Sequence, residues 1–417
     1  MLINLKHSVN PMKDITSKIE GEKSMSVAKL VFNSLTYTGW GALKELLPEV
    51  EKYSPKKILV VTDPMLAKIG LAERITAPLE KQGYSVTLYT DVVPEPPLET
   101  GEKLVSFTRE GQFEMVIGVG GGSALDLAKL AAVLAVHEGS AADYLNLTGT
   151  KSVEKKGLPK ILIPTTSGTG SEVTNISVLS LETTKDVVTH DYLLADVAIV
   201  DPELTVSVPA KVTAATGIDA LTHAVEAYIS VNASPATDGL ALQAIRLIGR
   251  SLRKAVEDGS DKQARIDMSN GSYLAGLAFF NAGVAGVHAL AYPLGGQFHI
   301  SHGESNAVLL PYVMGYIRKS CTKRMADILN ALGGNSTYLS EEEASCKCVE
   351  ELERLVKDVG IPSTLAGFDV PESAVESLTQ DGVKQKRILA RSPLPLLEGD
   401  IRKIYQSAFD GTVVEPN

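Results

Sequence analysis

Asp219 and His223 stand four residues apart in the segment GIDALTHAVEAYIS. That spacing places both side chains on one face of a helix. The rest of the segment is apolar, so the pair is expected to be buried, and a buried carboxylate beside a buried imidazole is costly unless something compensates it. A divalent cation compensates it well, and so does a plain Asp–His hydrogen bond in a core; these two residues alone leave both readings open. His288 lies in NAGVAGVHALAYPLGG and His302 in HISHGESNAVLLPYV. Both flank a Pro-Gly-Gly break, so they can face a common point from two helices. One carboxylate and three imidazoles form a mixed oxygen and nitrogen set suited to Fe(II), Zn(II), Mn(II) or Ni(II). Four protein ligands leave positions open on a metal that takes five or six, the condition for Lewis-acid chemistry on a substrate oxygen. The chain has seven histidines. His299, three residues before His302, is expected to face solvent or cap a helix. His7, His137 and His190 lack carboxylate or histidine neighbours at ligand spacing.

Two loops point to a second kind of chemistry. Gly118, Gly120, Gly121 and Gly122 sit where an apolar strand ends, and Ser123 sits where a helix starts. Consecutive glycines let a backbone approach a pyrophosphate, and the free N–H groups of a helix start favour anions. The spacing is not the usual dinucleotide fingerprint, so this is a variant site or a plain tight turn. A second loop, IPTTSGTGSEVTN over 163–175, also follows a strand and carries hydroxyls suited to ribose and phosphate oxygens. Asp63, at the end of KKILVVTD, suits an adenine-ribose 2′-hydroxyl and repels a 2′-phosphate, which favours NAD over NADP. It suits an N-cap for a helix starting at Pro64 equally well, and one residue can do both.

The elements that must hold these groups fall into two textures. From about Val27 to Asp201, short β-branched runs alternate with helical stretches. KKILVVTD, YSVTLYTDVV, FEMVIGVG, LPKILIPTT and VAIVDPELT read as strands, with a helix over Glu73–Gly83 and another after the glycine turn. That alternation predicts a mostly parallel sheet covered on both faces. From Lys211 onward strand signals vanish, and TGIDALTHAVEAYIS, ATDGLALQAIRLIGRSLRKAVED, ARIDMSNGSYLAGLAF and ASCKCVEELERLVKDV read as helices. The expectation is an N-terminal extension over 1–24, an α/β dinucleotide-binding domain over 25–205 and an all-helical metal-binding domain over 206–417.

The totals exclude several classes. A chain of 417 residues is too long for one ordinary core. A formal charge of −10 disfavours nucleic-acid backbones and anionic membranes as partners. No apolar run approaches the ~20 residues of a membrane span, and the first residues lack a secretory apolar region. Three cysteines, Cys321, Cys346 and Cys348, cannot form a disulfide framework and suit a reducing, cytoplasmic setting. Cys346 and Cys348, two apart on a helix, point to different faces.

Taken in order, GGGSALD, PTTSGTGSEVT, DVAIVDPELT, GIDALTHAVEAYIS and HALAYPLGG…HGESNAVLLP resemble the group III, iron-containing alcohol dehydrogenases. The likeness runs from about Met25 to Val413. It implies a Rossmann-like N-terminal domain and a helical C-terminal domain in the dehydroquinate synthase-like arrangement, with the active site in the cleft between them. It implies that Asp219, His223, His288 and His302 bind Fe(II), and that Asp63, Gly122, Ser123, Thr165, Thr166, Thr174 and Lys185 contact the dinucleotide, joined by Gly121, Asp126 and Thr169. The implied activity is reversible hydride transfer between NAD(H) and a small primary alcohol or aldehyde, in a homodimer or larger homo-oligomer. Many members carry a histidine for proton relay four residues after the third ligand, His288. Here that position is Tyr292, as in branches that include hydroxyacid–oxoacid transhydrogenases, so that activity or a 4-hydroxybutyrate-type dehydrogenase is the alternative. A tyrosine near pKa ~10 is a weaker base than imidazole, leaving Tyr292 to orient substrate or a water and a ribose hydroxyl to carry the proton. A sugar-phosphate cyclase on the same scaffold would need more Lys and Arg around the ligands, and a non-catalytic scaffold would not need the ligand set at all.

Overall fold

The computed structural model describes residues 27–182 and 185–414. The proposed extension over 1–24 and His7 lie outside the described residues. The described residues from Val31 onward pack as one unit.

β1 (Leu35–Thr38), β2 (Lys57–Val61), β3 (Ser85–Tyr89), β4 (Met115–Gly120), β5 (Lys160–Pro164) and β8 (Val197–Val200) form a parallel sheet of order β1-β8-β5-β4-β2-β3. β6 (Ile176–Ser180) and β7 (Lys185–Thr189) make a separate antiparallel hairpin. Alternation along the strands decides how the sheet is covered. Ile58, Val60, Ile117 and Ile163 enter one core with α1 (Leu46–Tyr53) and α3 (Leu71–Lys81), which follows the short α2 (Pro64–Lys68). Leu59, Val61, Val116 and Leu162 enter the opposite core with α4 (Leu98–Gly111) and α5 (Gly122–Leu134). Both faces are therefore buried, as the continuous apolar runs predict.

The chain leaves β2 toward β3 at one edge, then crosses back to place β4 on the other side of β2. The crevice at such a reversal, outside the carboxyl ends of the strands, is where open α/β sheets bind ligands. Asp63 follows β2, the glycine turn follows β4 and Thr165 follows β5, so all three expected nucleotide segments meet there.

Among the described residues no strand follows β8. The remainder is helical: α6 (Ala210–Ile229), α7 (Pro235–Glu257), α8 (Lys262–Ala282), α9 (Gly286–Phe298), α10 (His302–Ile317), α11 (Thr322–Ala331), α12 (Glu341–Asp358), α13 (Ala374–Gly382), α14 (Lys386–Leu389) and α15 (Glu398–Asp410). One apolar core gathers these helices. Gly217 lets α6 approach its neighbours closely, because a Cβ there would stand 2.3 Å from Leu252 Cδ1 and 2.9 Å from Met268 Cε. Cys348 is buried in α12 while Cys346 is only partly so, on different faces as their spacing implies.

One expectation needs correcting. The break between the helices bearing His288 and His302 is not at the Pro-Gly-Gly stretch. α9 runs through Pro293 to Phe298, and the chain turns at His299, whose φ is 54°. A proline removes one N–H bond, and the packing of a wholly apolar, buried helix outweighs that loss. No single helix among the described residues is long and apolar enough to cross a membrane.

Candidate active site

Asp219, His223, His288 and His302 converge: one ligand atom from each lies within 4.8 Å of all the others. His223 Nε2, His288 Nε2 and His302 Nε2 stand 4.0, 3.7 and 3.6 Å from Asp219 Oδ1. Donors about 2.0–2.2 Å from one ion lie at most about 4.4 Å apart, so closure by a few tenths of an ångström would suffice. Three elements supply the four groups. α6 carries Asp219 and His223 on one face, His288 sits in the first turn of α9, and His302 opens α10.

Two residues that the sequence reading passed over hold this cluster. Glu226, fully buried, lies on the same face of α6, seven residues after Asp219. Its carboxylate accepts hydrogen bonds from Ala285 N (3.0 Å) and Val287 N (2.6 Å), the otherwise unpartnered donors at the start of α9. It also meets His288 Nδ1 at 2.6 Å, which turns Nε2 toward Asp219. Asn306, one turn after His302, donates from Nδ2 to Asp219 Oδ1 (2.7 Å), and the same nitrogen is 3.2 Å from His288 Nε2 and 3.3 Å from His302 Nε2. The signal for both was helical spacing, i+7 from Asp219 and i+4 from His302. Phe279 stacks on His223, with ring centroids 4.1 Å apart, and fixes that ring from the side.

The electrostatics suit a cation. Burial opposes ionisation of Asp219, yet the imidazoles of His223, His302 and His288 hold its carboxyl far below the usual range. Burial pushes His223 down to about 4 and His302 down to about 3, so both rings are neutral and offer lone pairs. For His288 burial is outweighed by hydrogen bonds to Asp219 and Glu226, which raise it to about 9. Two buried carboxylates and the lone pairs of His223 and His302 face one point, and His288 is driven to carry a proton there, so the site demands positive charge. A divalent cation fits that demand, and the donor set fits Fe(II), Zn(II), Mn(II) or Ni(II) equally.

The cluster lines one side of a cleft of about 410 Å³. The other side carries Gly122, Ser123, Asp126, Thr169, Thr174 and Lys185. α5 starts at Gly122 without a side-chain cap, so its first N–H groups are left for an anion. Gly122 also admits no side chain, because a Cβ would meet Thr169 Cγ2 at 2.7 Å. Asp63, Gly121, Thr165 and Thr166 do not line this cleft and surround the turn instead. Thr165 N donates to Gly120 O, and Thr166 Oγ1 is 3.5 Å from where a Cβ on Gly121 would stand. Asp63 Oδ1 accepts from Met65 N and Leu66 N as the N-cap of α2, while Oδ2 lies toward Gly120, 3.7 Å from a Cβ built there. One oxygen caps the helix and the other faces the glycine turn.

Asp126 is engaged internally, accepting from Ser171 Oγ and Val178 N and pairing with Lys129 at 2.9 Å. It ties α5 to the second loop and to the hairpin. Lys185 Nζ pairs with Glu95 at 3.1 Å across the mouth. Tyr292 lines the cleft with its ring 6.0 Å from that of His302, and burial pushes its phenol above the usual value. His299 caps α9 and is exposed, His137 accepts from the N–H groups of Glu154 and Lys155, and His190 caps a short turn.

Comparison with known proteins gives the same answer for both halves. Residues 33–202 match the family described as iron-containing alcohol dehydrogenase, and residues 213–409 match the C-terminal part of the Fe-containing alcohol dehydrogenase family. Over 393 residues the chain is 80% identical to "Long-chain-alcohol dehydrogenase 1" of Geobacillus thermodenitrificans (strain NG80-2), covering 94% of this chain and 100% of that protein. It is 38% identical to "NAD-dependent methanol dehydrogenase" of Bacillus methanolicus, covering 89% of this chain and 97% of the relative. The solved structure of a 1,3-propanediol oxidoreductase superposes with a TM-score of 0.88 at 37% identity, covering 92% of this chain and 100% of that one.

Proposed function

The chain belongs to the iron-containing alcohol dehydrogenase family, and from that premise we propose that it moves hydride reversibly between NAD(H) and a primary alcohol or aldehyde beside a divalent cation, Fe(II) by preference. The observation that carries this reading is the meeting, in one cleft, of the Asp219–His223–His288–His302 cluster and the glycine turn at Gly122. When bound, the cation supplies Lewis-acid polarisation of the substrate oxygen and the nicotinamide accepts or gives hydride.

The chain's own residues supply position and charge. Gly122 and Ser123 present N–H groups to a pyrophosphate, and Thr169 presents a hydroxyl beside it, while the buried Thr174 hydroxyl is spent on Ser171 O and Lys129 Nζ and acts from behind the loop. Asp63 Oδ2 supports NAD over NADP, because a 2′-phosphate would meet its negative charge. Phe279, Phe280, Val284 and Ile388 line the cleft and exclude water along an aliphatic substrate. Tyr292, its phenol held protonated by burial, serves as a hydrogen-bond donor to the substrate oxygen rather than as a base. The Geobacillus relative named for long-chain alcohols supports an aliphatic substrate of this kind.

The test is His288→Ala. It is expected to lose bound metal together with NAD-linked oxidation of 1-butanol, assayed by metal analysis and NADH absorbance. Full activity in a metal-free variant would overturn the reading.

A further inference from the structure

Two cations face the same cleft from one short segment. Arg387 lies in α14, and Arg391 lies two residues beyond its end. Both line the cleft together with Tyr292, Phe279 and Val284. Among the described residues neither guanidinium is ion-paired with a carboxylate; the groups that act on Arg391 are Arg387, which repels it, and Tyr292. Arg387 is exposed at the rim, whereas Arg391 is partly buried.

Arg391 is also held in place. Gly283 ends α8 with φ 86° and lines the cleft. A Cβ at that position would stand 2.4, 2.6 and 2.7 Å from Arg391 Cδ, Nε and Cζ, so only glycine lets the guanidinium lie against this backbone. A partly buried arginine beside a second arginine, with no acid to neutralise either, is unfavourable by itself. An anion bound between them removes the penalty. The planar fork of a guanidinium matches a carboxylate in shape and hydrogen bonding.

We propose that Arg387 and Arg391 form an anion subsite for the far end of the substrate, so that the cleft accepts aliphatic ω-hydroxycarboxylates and the matching ω-aldehyde acids. The hydroxyl end lies toward Asp219 and the histidines, the chain runs along Phe279, Val284 and Ile388, and the carboxylate pairs with the two arginines. This deepens the proposed alcohol dehydrogenase activity and rests on it for the identity of the reacting end. A cofactor phosphate is the other anion within reach of this cleft, and the glycine turn at the far side already provides for it.

The experiment uses metal-loaded enzyme, as wild type and as Arg387→Gln, Arg391→Gln and the double substitution, with Arg391→Lys as the charge-retaining control. The ratio of kcat/KM for 6-hydroxyhexanoate to that for 1-hexanol is expected to fall about 10- to 100-fold in the double variant, the worth of one to two charge-assisted hydrogen bonds. Arg391→Lys should recover part of it. Binding of unreactive hexanoate, measured by calorimetry, should weaken by at least about 10-fold in the same variant. If wild type oxidises neither alcohol, the dehydrogenase reading fails and the hexanoate titration alone decides the subsite. An unchanged ratio, unchanged hexanoate binding in that case, or a loss confined to the KM for NAD would overturn the proposal. Should the double variant not fold, Arg387→Gln, at the exposed rim, decides by the same ratio.

Discussion

Glu226 makes two kinds of contact with one carboxylate. It closes the start of α9 through Ala285 N and Val287 N, and it holds His288 by Nδ1. A carboxylate behind a ligating imidazole fixes the ring and raises its basicity, and removing such a partner typically costs 10- to 100-fold in metal affinity. Glu226→Gln keeps the shape but turns an N–H pair toward existing donors. We expect Fe(II) or Zn(II) affinity to fall by about that factor in chelator competition, while the helical circular dichroism of the apoprotein is retained. Unchanged affinity would reduce Glu226 to a helix cap. At this scale the site was half legible. Asp219 and His223 announced themselves by spacing within an apolar helix, whereas Glu226 reads as one more helical residue until α9 is laid against α6.

At the scale of elements, the glycine turn is the decisive piece. Gly122 starts α5, and its missing Cβ makes room for Thr169 from the second loop. Gly122→Ala would push Thr169 away and narrow the approach to the first N–H groups of α5. NADH affinity, followed by nicotinamide fluorescence, is expected to weaken about 10-fold or more, while metal content stays at the wild-type level. Retained NADH affinity would detach this turn from the nucleotide. The principal buried strands were legible because both of their faces are apolar. The β6–β7 hairpin was not, since five-residue strands of mixed polarity after a polar loop carry little periodic signal. Nor was the true break before α10, because a proline and two glycines are strong local signals that buried packing overrode.

At the scale of the whole molecule, the cluster joins α6, α9 and α10, so a bound cation would stabilise the folded state against an unfolded chain that cannot assemble the site. Removing metal with a chelator is therefore expected to lower the thermal midpoint, by a shift equivalent to about 2.7 kcal/mol for metal at 100 times its Kd. Adding Fe(II) back without oxygen should restore it. A midpoint indifferent to metal would mean that these helices meet without a resident ion.

The residue types, their order and their helical or strand periodicity determined the family, the α/β-then-α plan and the identity of the four candidate ligands, because local spacing already encodes which side chains share a face. Tertiary structure alone decided that Glu226 and Asn306 brace the ligands, that Asp126 is an internal tie, and that Arg387 and Arg391 reach the same cleft. Those relations join residues far apart in the chain, such as His223 and Arg391, 168 positions apart, and only the packing of helices against one another and against the sheet brings them within reach.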